Sequence, residues 1–138
     1  MKGKNTGQRQ DEQDVSEDRG AVVDRSVLDS YRPLQRPGAP DFIGELVTAY
    51  VTQSSAIMKS LGSAVDEKNT QDMFRLAHKL KSSSASVGAL RLSALLKGLE
   101  LLGRQNEVEG TVDMFANIQK EFAAVQEALK PLIPAGIV

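Results

Sequence analysis

An all-α fold, an antiparallel up-down-up-down four-helix bundle, follows from three features of this sequence. Apolar residues recur at helical spacings of three and four in four successive segments, no segment alternates as a strand would, and the connections between segments are short. Short connections make consecutive helices antiparallel, so the four apolar stripes can close on one core. With 138 residues the chain can build one modest core and not two.

Residues 1–24 are dominated by Gly, Gln and charged residues, and Ala21, Val22 and Val23 are their only aliphatic cluster. So little apolar surface cannot offset the entropy of ordering, and the segment is expected to be a disordered tail or a linker. The bundle is assigned to 25–132, preceded within it by a short N-terminal helix over 26–35. Ser26 is the expected N-cap of that helix, and Val27, Leu28 and Tyr31 are its apolar contacts. Pro33, Pro37 and Pro40 then break the chain.

The first long helix is expected over 41–65, with Ile43, Leu46, Val47, Tyr50, Ile57, Met58, Leu61 and Val65 on its apolar stripe. The second starts after Asn69, a good N-cap with Asp72 three residues on. It is expected to bury Met73, Leu76, Ala77, Leu80, Ser84 and Val87, and to end at Gly88. The third, over 90–104, carries Leu92, Leu95, Leu96, Leu99 and Leu102. The fourth, over 109–130, carries Val112, Phe115, Ile118, Phe122, Val125 and Leu129, and Pro131 and Pro134 end it. Residues 133–138 are expected to form a C-terminal tail. With no Trp and few aromatics, the core must be mostly aliphatic.

Composition narrows the function. A formal net charge of −1 gives no global basic character suited to nucleic acid. No run of 18 apolar residues exists to insert in a membrane, and the polar start has no apolar stretch of the secretory kind. The absence of cysteine excludes disulfides and thiolate metal sites and fits a cytoplasmic location. One histidine offers too few ligands for a metal centre.

That histidine, His78, is the candidate for chemistry. It follows Ala77 one step off the buried stripe, so it stands at the stripe's edge with Phe74, Arg75, Lys81, Ser82 and Ala85 on its face. Ser82 and Ala85, one turn beyond, are small and leave a cleared floor over which another protein can approach. A neutral imidazole is a competent nucleophile, and the Lys81 ammonium can stabilise negative charge on a group attached to it. Between Met73 and Gln105 there are six basic residues, Arg75, Lys79, Lys81, Arg91, Lys97 and Arg104, against Glu100 alone. The hairpin thus carries +5 and the rest of the chain −6, a distribution that would hold an acidic partner. On these residues alone, an exposed histidine of a purely structural bundle fits as well. The serines then serve close helix packing, and the lysines form an ordinary solvated face.

The stretch from Leu76 to Ala89, LAHKLKSSSASVGA, closely resembles the signature of histidine-containing phosphotransfer (HPt) domains. In that family Ala-His-x-Leu-Lys is followed by small residues and a Leu/Val-Gly-Ala/Leu corner. The likeness continues through LRLSALL at 90–96 and Leu99-Glu100, and includes Val27-Leu-Asp and the PDFIGELV run at 40–47, so it covers about 27–129. The resemblance implies a four-helix bundle in which His78 is the phosphoacceptor at Nε2 and Lys81 the family lysine near the phosphoryl group. It makes Gly88 the structural corner, and places Arg75, Lys79, Ser82, Ser84 and Ala85 on or near the face that docks receivers. Ser82 stands where many members have glycine. The implied partner is the receiver domain of a response regulator or of a hybrid sensor histidine kinase. That partner brings Mg²⁺ and the acidic aspartates, and this chain binds no cofactor and has no ATP-dependent kinase activity of its own. A monomer is expected, with no nucleic-acid partner and no direct membrane insertion.

Three other functions fit parts of the pattern. A bundle that binds a receiver or kinase as a non-phosphorylated adaptor has no need to keep His78 and Lys81. The phosphoacceptor domain of a chemotaxis-type kinase carries a glycine-rich run where this chain has serines at 82–84. A helical oligomerisation domain would be distinguished by sedimentation and by the absence of phosphorylation.

Overall fold

The long helices begin and end largely where the sequence supplies the means. The computed structural model describes residues 21–134. They form α1 (Arg25–Asp29), α2 (Phe42–Asp66), α3 (Thr70–Ser86), α4 (Leu90–Arg104) and α5 (Thr111–Leu129), with 3-10 turns at Arg32–Leu34 and Lys130–Leu132 and no strand among the described residues. Asp41 caps α2, its carboxylate accepting from the Gly44 amide at 3.1 Å. Asn69 caps α3, accepting from the Asp72 amide at 3.1 Å while its own amide group donates to the Asp72 carboxylate at 3.0 Å. The α3–α4 corner turns on Gly88, at φ +85°.

Short connections, 67–69, 87–89 and 105–110, reverse the chain each time. Each long helix packs on its neighbours in sequence, and α5 returns to α2, which closes the ring of the predicted bundle. The centre is aliphatic: Val47, Leu61, Met73, Leu80, Leu92, Leu96, Leu99, Ile118, Val125 and Leu129 are buried, with Tyr50, Phe115 and Phe122 the aromatic members of the core. The Tyr50 hydroxyl makes its buried hydrogen bond to Ser84 Oγ at 2.8 Å, and burial pushes the phenol up to about 12.

Before the bundle, residues 21–31 form a strap against the α3–α4 corner. The Asp24 amide donates to the Gly88 carbonyl at 2.8 Å, and the Tyr31 hydroxyl to the Ser86 carbonyl at 2.7 Å. Val23 and Leu28 enter the core. This moves the expected boundary after residue 24: residues 1–20 of the expected tail lie outside the described residues, whereas Val23 and Asp24 are buried structure. It also moves the first cap. Asp24, not Ser26, caps α1, its carboxylate accepting from the Ser26 amide at 3.0 Å and the Ser26 hydroxyl at 2.6 Å. The expected helix over 26–35 is one short turn of α-helix followed by a 3-10 turn at Pro33.

Two further expectations need correction. Val112, expected inside, is 67% exposed, because α5 starts at Thr111 and it is Thr111 that turns inward at the first position. Ile133 packs against the core, so the bundle runs past 132; residues 135–138 of the expected tail lie outside the described residues. Among the described residues, no helix is long and apolar enough to cross a membrane.

Candidate functional site

Antiparallel pairing of α3 with α4 builds the site. Residues equidistant from Ala89 face each other across the hairpin: His78 and Glu100 each lie eleven positions from it, and Phe74 and Arg104 fifteen. The helices meet closely at this end. A Cβ on Gly103 would stand 2.7 Å from the Phe74 backbone nitrogen and 2.8 Å from the Thr70 carbonyl oxygen, so only glycine fits.

The His78 side chain is 59% exposed, and its Nδ1 lies 2.8 Å from Glu100 Oε2. Glu100 itself is only 5% exposed. Its burial works to raise the carboxyl's pKa, but the hydrogen bonds and charges of Lys81 and His78 together outweigh it and hold Glu100 below the ordinary value. Glu100 is therefore a carboxylate at neutral pH and can only accept. The proton of neutral His78 then sits on Nδ1, which leaves Nε2 as the basic, nucleophilic nitrogen of an exposed ring. No sequence feature local to His78 shows this. The sign that was available is that Glu100, the lone acid of a basic hairpin, mirrors His78 about the corner.

Lys81 lies on the same carboxylate, Nζ to Oε1 at 2.6 Å, and is 26% exposed. No other group partners that oxygen among the described residues. Arg104, 61% exposed, approaches Oε2 at 3.8 Å. Phe74 completes the group, its ring stacked with the imidazole at 6.2 Å between centroids and 21° between planes, and the Arg104 guanidinium lies 5.2 Å over its centroid. One buried anion thus gathers an imidazole and two cations at the surface.

The other candidates divide. Arg75, Lys79 and Ser82 are exposed on α3, and Ala85 is half-buried. Arg75 makes a solvent-exposed pair with Asp72 at 3.3 Å. Ser84 is not a docking residue: it is fully buried and bonded to Tyr50, since it belongs to the core stripe. Gly88 lies in the turn between α3 and α4. Among the described residues no cluster of three or more His, Asp or Glu could hold a metal ion.

A family model for the Hpt domain matches residues 45–128. The chain is 27% identical over 104 residues to histidine-containing phosphotransfer protein 2 of Arabidopsis thaliana, covering 73% of this chain and 67% of the relative. It is also 27% identical over 116 residues to pseudo histidine-containing phosphotransfer protein 2 of Oryza sativa subsp. japonica, covering 79% and 76%. Its backbone superposes on histidine-containing phosphotransfer protein B from Pseudomonas aeruginosa with a TM-score of 0.72 at 25% identity, over 80% of this chain and 92% of that one.

Proposed function

The chain belongs to the Hpt domain family, and from its site we propose that it acts in a two-component phosphorelay by taking a phosphoryl group onto Nε2 of His78 from one receiver aspartate and passing it to another. Histidine phosphotransfer in phosphorelays is the function the family shares. The observation that carries the residue assignment is the exposed imidazole with Nδ1 tied to a buried carboxylate.

In the accepting step Nε2 attacks phosphorus. The N–P bond forms as the receiver's O–P bond breaks, and the aspartate departs as a carboxylate. Nδ1 keeps its proton, so the ring gains positive charge, which Glu100 at 2.8 Å stabilises. In the passing step that cationic ring is a good leaving group. Nε2 takes back the electron pair as an oxygen of the next aspartate bonds to phosphorus. Lys81 is assigned to the charge on the transferring group, beside its ion pair with Glu100. Receiver aspartates and their Mg²⁺ supply the rest, since phosphoryl transfer depends mainly on positioning and charge. No cofactor and no ATP-dependent kinase activity are assigned to this chain, and it is taken to act as a cytoplasmic monomer.

One relative bears the word "pseudo" in its name, so likeness alone does not separate a carrier from an adaptor. The His78–Glu100–Lys81 arrangement favours the carrier, because an adaptor gains nothing from a buried carboxylate that fixes a tautomer. The test is incubation of His78→Gln with a phosphorylated receiver and Mg²⁺. The variant should keep its helical circular dichroism and take up no acid-labile phosphate. Label retained on it would rule out His78 as the acceptor.

A further inference from the structure

We infer that Arg104 is a second phosphoryl-binding cation of the site, one that gives up Glu100 and engages the phosphoryl group once His78 is phosphorylated. The inference rests on the phosphocarrier function above and adds a residue to it.

The charges around Glu100 supply the argument. In the resting site three basic side chains converge on one carboxylate: Lys81 at 2.6 Å, His78 at 2.8 Å and Arg104 at 3.8 Å. They are not held alike. Lys81 is mostly covered and in close contact, whereas Arg104 is largely exposed and stands at the limit of ion pairing. A contact of that length, made by a guanidinium that is itself mostly in water, is the weakest of the three and the one most readily exchanged. Phosphorylation at Nε2 adds a charge of about −1.5 to −2 at neutral pH, and the ring with its Nδ1 proton becomes cationic. Glu100 is then compensated by Lys81 and the imidazolium, and Arg104 is the cation left over.

Placement supports the same conclusion. Arg104 shares Oε2 with the imidazole, so its guanidinium is already next to the ring. Phe74 gives it an apolar floor, its ring in contact both with the His78 imidazole and with the guanidinium. The close helix contact at Gly103 fixes the next residue, Arg104, at this height on α4. A planar guanidinium is the side chain best suited to bidentate contact with phosphoryl oxygens.

Phosphoramidate is the probe, since it loads the protein without a receiver. The Nε2–P bond forms as the donor's P–N bond breaks, and ammonia leaves with a proton from water. The full chain is compared with Arg104→Met, which keeps an apolar stem over Phe74, and with Arg104→Lys. The ³¹P resonance of the loaded protein, followed against pH, reads the phosphoryl group's own ionisation. A nearby cation favours the dianion, so Arg104→Met should raise that midpoint by about 0.3–1 pH unit, and Arg104→Lys should restore part of the shift. At equilibrium with a receiver, Arg104→Met should lower the ratio of loaded protein to phosphorylated receiver several-fold. An unchanged midpoint together with weaker receiver binding would make Arg104 a docking residue and overturn the inference. Wild type that takes no label, or a His78→Gln control that does, would overturn the phosphocarrier function along with it.

Discussion

At the scale of single residues, Glu100 does the most work for its size. Of the two nitrogens of His78 it claims Nδ1, and so leaves Nε2 for the proposed role of nucleophile. Glu100→Gln keeps an acceptor and loses the charge, whereas Glu100→Leu loses both. Long-range ¹H–¹⁵N correlation spectra of the neutral imidazole should show the proton on Nδ1 in the wild type and in Glu100→Gln, and a shift toward Nε2–H in Glu100→Leu. Transfer from a receiver should slow about 10–100-fold in Glu100→Leu, the usual scale for a group that orients a functional imidazole. Nε2–H as the main form of the wild type would refute the role. Lys81 has to be understood through the same carboxylate. Its removal leaves a buried anion short of compensation, so a Lys81→Ala variant loses folding stability as well as rate. The sequence makes His78, Lys81 and Gly88 readable because each lies in one local pattern. Glu100 is hidden because its partner comes from the opposite helix, and Ser84 misleads because one helical step separates the docking face from the core stripe.

At the scale of elements, the strap is what local pattern could not show. Caps such as Asp41 and Asn69 are legible because donor and acceptor lie three residues apart. The strap's contacts are to the far corner: Asp24 meets Gly88, and Tyr31 meets Ser86, so two valines and an aspartate in a polar run give no sign of them. The strap also lies ahead of the stretch the family model matches, 45–128. Gly88 tests its docking. A Cβ there would press on the Asp24 carbonyl, and the residue also holds φ +85°. Gly110, at φ +86°, has nothing within 4 Å of its would-be Cβ. Gly110→Ala should therefore cost only the left-handed conformation, about 1 kcal/mol. Gly88→Ala adds a backbone clash and should cost about 2–4 kcal/mol in urea unfolding, with faster amide exchange in the strap. Equal costs at the two positions would show that the strap does not lean on the corner.

Over the whole molecule, charge is distributed by hairpin. Residues 73–105 carry +5 and the remainder −6, so a chain of nearly zero net charge has one strongly basic hairpin. The candidate site is built on that hairpin, and its imidazole is exposed there rather than enclosed in a cleft. Rigid helices hold the imbalance in place, because α3 and α4 are joined by the tight corner at Gly88 and by the close contact at Gly103. A partner that brings an acidic face is steered to His78 before any specific contact forms, and such steering acts on the association rate more than on the lifetime of the complex. Arg75 and Lys79 are the residues to change, since both are exposed on α3 and the Asp72 pair of Arg75 is solvent-screened. The double variant Arg75→Glu/Lys79→Glu reverses four units of charge on this face. Its association rate with a receiver, followed by stopped-flow fluorescence at low ionic strength, should fall at least tenfold, with a dissociation rate changed much less. The wild-type rate should fall as salt rises from about 0.02 to 0.3 M, as the Debye length shortens, and the variant's dependence on salt should be flat or inverted. An association rate indifferent both to salt and to the double reversal would mean that receivers reach His78 without help from this face, and that the basic hairpin serves some other contact.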